Sequence, residues 1–182
     1  SLVSLLLGIS SYAQLKSPSD FLGYELGTQF TRHHQVIDYV NHVAENSGFA
    51  QTAAYGKTNE GRTLQLVHLS APENLAQLES LRKDHLRSIG YAEGAKETTK
   101  EFSVVWLSYN VHGNESTSTE AALKTLHSLV SEKKDWLENL IVIMDPCINP
   151  DGRDRYVNWY NQVKSTPFDS APEANEHFEE WP

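Results

Sequence analysis

The chain reads as an α/β protein built on a mixed β-sheet flanked by helices, and three observations carry that reading. Strand-length segments near 51–57, 63–69, 102–109 and 140–145 alternate with longer segments of helical periodicity. The first two strands are joined by a Gly-containing turn, which makes a hairpin. The last two are separated by a helical segment, which makes a β-α-β unit.

Taken in order, a helix over 32–47 places Val36, Ile37, Val40, Val43 and Ala44 on one side, puts Asp38, His42 and Glu45 on the other, and is stopped by Gly48. The hairpin follows. A second helix near 73–88 carries Leu75, Leu78, Leu81 and Leu86 and stops near Gly90, and the polar stretch 91–100 is a surface loop. In the strand 102–109, Val104, Val105, Trp106 and Leu107 form a continuous apolar run, which predicts burial on both faces. Gly113 then permits a sharp turn. Thr117 with Glu120 has the spacing of a capping box before Ala121, Ala122, Leu123, Leu126, Leu129 and Val130, so a helix is expected over 116–131. The strand 140–145 and a short helix over 153–162 complete a single domain with no internal repeat or linker.

The chemistry is concentrated at the junction of the third strand and its helix, where the sequence runs His112-Gly-Asn-Glu115. A His-x-x-Glu spacing also occurs at His42 with Glu45 and at His177 with Glu180. Context separates the three. The first pair lies on the polar side of an amphipathic helix and reads as a solvated face. The last lies in an acidic tail containing proline, with nothing periodic to fix its geometry. His112 and Glu115 sit outside the carboxyl end of a strand, where α/β sheets bind ligands, and beside a helix N-terminus that favours an ionised Glu115. Imidazole nitrogen and carboxylate oxygen are both zinc donors, and catalytic zinc takes three protein ligands with one position left for water.

Three landmarks in this order resemble the zinc carboxypeptidases, the carboxypeptidase A-like metallopeptidases. They are Tyr55-Gly-Lys-Thr-Asn-Glu60-Gly61-Arg62 leading into Thr63-Leu-Gln-Leu-Val, then His112-Gly-Asn-Glu115, then Leu140-Ile-Val-Ile-Met followed by Asn149-Pro-Asp-Gly152. The opening segment from Phe21 through Tyr39 is similar to that of bacterial members, and the likeness covers roughly residues 17–160. It implies the carboxypeptidase A-like fold, one Zn2+ per complete domain, and His112 and Glu115 as its first two ligands. The implied reaction is hydrolysis of the C-terminal peptide bond of a peptide or protein. In this family a third His ligand and a general-base Glu come much later, and 67 residues follow Glu115. His127, inside the zinc helix, and His177 do not match the third ligand. The resemblance therefore implies an N-terminal part, with the general base expected beyond Pro182 and no catalytic residue assigned within the chain.

Arg153 and Arg155 follow the Asn-Pro-Asp-Gly turn and are candidates for holding a substrate carboxylate. With Asp154 they also make an ordinary solvated helix start, which is the preferred reading. A related zinc amidase or amino-acid deacylase on the same fold would keep both ligands. A noncatalytic binding module is the remaining alternative if the natural chain ends at residue 182.

Residues 1–13 contain a short apolar run followed by small residues, which predicts the remnant of a secretory signal peptide cleaved after Ala13 and a mature domain over 14–182. The expected location is secreted or periplasmic, with no membrane association after cleavage. Residues 165–182 have loop composition. A net charge of −9 without a basic patch argues against a nucleic-acid partner. Cys147 is the one cysteine, so no intramolecular disulfide forms, and its place after an apolar strand predicts a buried inert thiol.

Overall fold

The computed structural model describes residues 14–163. The expected signal segment and the His177–Glu180 pair lie outside these residues. The elements run α1 (Pro18–Leu22), α2 (His33–Asn46), β1 (Ala50–Lys57), β2 (Thr63–Leu69), α3 (Pro72–Leu75), α4 (Leu78–Ser88), β3 (Ser103–Ser108), α5 (Thr117–Ser131), a 3-10 turn (Lys134–Glu138), β4 (Leu140–Asp145) and α6 (Pro150–Val163). Four strands form one sheet in the order β1-β2-β4-β3. The β1–β2 and β2–β4 pairs are antiparallel and β3–β4 is parallel, so the sheet is mixed, as the sequence predicts.

The main core lies between one face of the sheet and helices α2 and α5. Val36, Tyr39, Val40 and Val43 of α2 and Leu123, Leu126, Leu129 and Val130 of α5 close over Val67, Leu69, Val142 and Met144. These are the apolar stripes of the two periodic segments, and each buried aliphatic side chain contributes about 1.5–3 kcal/mol. The opposite face is covered less fully. There, Leu78 and Leu81 of α4, together with Phe102, flank a groove of about 540 Å³ floored by His68, Val104, Ile141 and Ile143.

Several boundaries differ from expectation for local reasons. The expected helix over 73–88 is two, α3 and α4, broken at Ala76 and Gln77. Helix α6 begins at Pro150, because proline at a helix start lacks only an N–H that would have no intrahelical partner. The short α1 is an addition, capped by the Ser17 hydroxyl and ended by Gly23 at a left-handed φ of 78°.

The largest correction concerns β3. It hydrogen-bonds only to β4, and its outer edge carries no strand among the described residues, so Val105 is 37% and Trp106 58% exposed. A continuous apolar run is consistent with burial on both faces, but burial also requires elements on both sides.

Candidate metal centre

Strand β3 delivers the chain to Asn110, the one non-glycine residue in the left-handed region among those described, at φ 56°. Such a conformation costs a non-glycine residue on the order of 1 kcal/mol, and asparagine tolerates it better than most. The turn that follows carries His112 and Glu115. The Glu115 N–H donates to the His112 carbonyl at 3.1 Å, so the two residues flank one tight turn immediately before α5. Both residues are exposed, and among the described residues neither side chain forms a hydrogen bond or ion pair within the protein. An exposed imidazole and carboxylate on a fixed turn suit two positions of a zinc site. Among the described residues no group of three or more His, Cys, Asp or Glu is gathered that could hold a metal. The pair therefore fits as part of a ligand set.

The turn is fixed by backbone packing. A Cβ added at Gly113 would lie 2.2 Å from the carbonyl carbon of Gly152, so the His-x-x-Glu turn and the Asn-Pro-Asp-Gly turn touch main chain to main chain. Gly113 is required for this close approach; its φ is not positive. Asn149 adds two bonds between the turns, its N–H donating to the Asn110 carbonyl and its side-chain amide to the Val111 carbonyl.

Two expected local roles change. Glu120 does not close a capping box at α5. It is 5% exposed and accepts from the Thr31 N–H and hydroxyl and from Arg153. Arg153 is neither a solvated helix start nor a carboxylate clamp, because it is fully buried and its five N–H donors are engaged. They reach the Thr31 carbonyl from Nε and Nη2, Asn110 Oδ1 and the Ser116 carbonyl from Nη1, and Glu120 Oε1 from Nη2. Its position directly after Asn149-Pro-Asp-Gly152 left it looking like a surface charge; the partners that bury it come from the segment before α2 and from both ends of the His112–Glu115 turn. Arg155 is exposed and pairs with Glu60.

The other sequence landmarks converge on this end of the sheet. Asp151 accepts from the Thr58 hydroxyl, the Glu60 N–H and Arg62, and Arg62 also reaches Asp154 and Glu60. Burial opposes ionisation of Asp151, yet the bonds from Thr58, Arg62 and Glu60 hold its carboxyl below the usual range. Tyr55 donates to Asp145 Oδ2 at the end of β4. Burial raises the Asp145 carboxyl above its ordinary value, against the bonds from Tyr55 and the Cys147 N–H. Cys147 is 3% exposed, and burial pushes its thiol up to about 12, the inert state expected of it.

His42 and His127 lie on other elements. Nε2 of His42 accepts from the Lys16 N–H, its Nδ1 lies 3.1 Å from the Asn46 amide, and its ring packs on Phe21, so this half-buried side chain also anchors the segment around α1. His127 lies on α5, where Ser131 bonds its carbonyl.

Comparison with known proteins follows the same outline. The family profile described as zinc carboxypeptidase matches residues 36–176. No curated protein matches. Among solved structures, carboxypeptidase A from Helicoverpa armigera is 22% identical with a TM-score of 0.51, over 70% of this chain and 28% of that one. Thrombin-activatable fibrinolysis inhibitor is 13% identical with a TM-score of 0.53, over 76% of this chain and 31% of that one. At these identities the likeness is one of fold, and the chain spans about a third of the length of the structures it matches.

Proposed function

The chain belongs to the zinc carboxypeptidase family, and from that premise we propose that it contributes His112 and Glu115 to a zinc centre that hydrolyses the C-terminal peptide bond of peptides or proteins. The observation that carries this reading is the pair itself: two zinc-type donors, exposed and without protein partners among the described residues, on a turn pinned by glycine contact at the carboxyl end of a strand. When bound, zinc supplies an activated water and polarises the carbonyl under attack.

The chain's own part is to present the donors. The β3 end sets where the turn begins, and α5 sets where it stops. Arg153 takes no part in substrate recognition, since its donors are spent within the fold.

The test measures bound zinc by metal analysis in the purified chain and in a His112→Ala, Glu115→Ala variant, with cleavage of a peptide bearing a free or a blocked C-terminus followed in the same samples. Zinc lost in the variant, with cleavage confined to the free peptide, supports the carboxypeptidase reading. Zinc that the variant retains overturns the assignment of the pair. Zinc lost in the variant but cleavage of the blocked substrate redirects the reading to an amidase.

A further inference from the structure

We propose that Asn110 is a positioning residue for the metal pair, presetting the turn that carries His112 and Glu115 through a clamp completed by Arg153. The inference rests on the zinc reading above and adds the device that holds its ligands.

Four observations meet at this residue. Asn110 is 2% exposed and sits two residues before His112. Its backbone is left-handed, which turns the chain out of β3. Its Nδ2 donates to the His112 carbonyl, the same carbonyl that accepts from the Glu115 N–H. Its Oδ1 accepts from Arg153 Nη1 at 3.0 Å and from the Thr119 hydroxyl at 3.1 Å.

The backbone of Asn110 is used as fully as its side chain. Its N–H donates to Ser118 Oγ at 2.9 Å, and that hydroxyl donates to the Glu115 carbonyl. Its carbonyl accepts from the Asn149 N–H at 3.2 Å. One residue thus bonds the His112–Glu115 turn, the first turn of α5 and the Asn149 turn.

Arg153 fixes the orientation of the amide. A guanidinium can only donate, so the side-chain atom of Asn110 facing it must be the oxygen, and the NH₂ is left pointing at the His112 carbonyl. A second Arg153 bond, to the Ser116 carbonyl, holds the far side of the same turn. Partners that orient metal ligands in this way change metal affinity about ten- to a hundredfold when removed.

Two variants separate the roles within the residue. Asn110→Asp keeps the acceptor for Arg153 and Thr119 but replaces the donor to His112 with an oxygen. Asn110→Gly keeps the left-handed backbone and removes the side chain, so at least one variant is expected to fold. Both are compared with wild type and with His112→Ala, Glu115→Ala, in the full chain. Zinc alone is titrated into each protein with bound metal read by equilibrium dialysis and metal analysis, and amide hydrogen exchange is followed without metal.

The expected result is a tenfold or greater loss of zinc affinity in both Asn110 variants. Exchange at the Glu115 amide should quicken while Leu126 and Val130 in the α5 core keep their protection. Zinc held equally by wild type and the Asn110 variants overturns the positioning role and leaves the metal pair standing. Zinc held no better by wild type than by the ligand variant overturns the metal reading and the positioning role together. Equal loss of protection at Glu115, Leu126 and Val130 also overturns it, since Asn110 would then support the whole fold and not the turn.

Discussion

A methyl group is the smallest addition possible at Gly113, and it would meet the backbone of Gly152 at 2.2 Å. Neither partner is a side-chain end that can swing aside, so one of the two turns must shift. Overpacking of this kind costs roughly 1–3 kcal/mol, and a backbone–backbone clash belongs at the upper end. Gly113→Ala is therefore expected to lower stability by about 3 kcal/mol in chemical denaturation; a loss under about 0.5 kcal/mol would show that the turns are not locked together. At this scale the sequence exposed the candidate ligands but not their supports. His112 and Glu115 stand three apart beside a strand and a helix, a local pattern. The Gly113–Gly152 contact and the Arg153–Glu120 pair join residues 33 or more positions apart and leave no mark on local spacing.

Strand β3 shows the same division between elements. Its length and apolar character follow from the residues 103–108, but its place at the edge of the sheet follows from which strands lie beside it. An open edge with Val105 and Trp106 partly exposed is a template for pairing with another chain. The described domain is accordingly expected to self-associate. Val105→Lys should reduce association in sedimentation velocity while changing stability by less than about 1 kcal/mol, because the position is already partly solvated. Association unchanged by the lysine would place the contact elsewhere, for instance in the apolar groove beside α4. The capping box at α5 failed for a related reason: Glu120 has the right spacing, but a buried guanidinium and Thr31 offer its carboxylate stronger partners than its own helix terminus.

Across the whole molecule, histidine burial gives stability a pH dependence of definite sign. Burial lowers the His33 imidazole below its ordinary 6.5; its bond to the Thr63 carbonyl and the charge of Asp154 oppose this, and Arg62 and Arg153 reinforce it. Burial likewise lowers His68, opposed by the backbone of Gln51. Each ring is neutral in the fold and takes a proton more readily once unfolded. The unfolded state therefore binds more protons as pH drops through 6.5, and stability is full above that value and falls below it. The carboxylates held low by partners, such as Asp151, lose their contribution only near and below 3.8, a separate window. Urea denaturation at pH 7.5, 6.5 and 5.5 should show a progressive loss, and a His33→Gln, His68→Gln variant a flatter profile. An equally steep profile in that variant would assign the dependence to other groups.

What the sequence determined by itself was the strands, most of the helices and the place of the candidate metal pair, because these are written at short range. Helix α2 repeats its apolar residues every three or four positions, β1 and β2 flank a glycine turn, and the His112–Glu115 pair occupies the junction between an apolar strand and a helix. Tertiary structure alone decided how that turn is held. Asn110 is an unremarked polar residue in the sequence, and Arg153 reads as a surface charge. They become a clamp only when α6 is packed against the β3–α5 junction, since burying a guanidinium requires acceptors gathered from three separate segments at once.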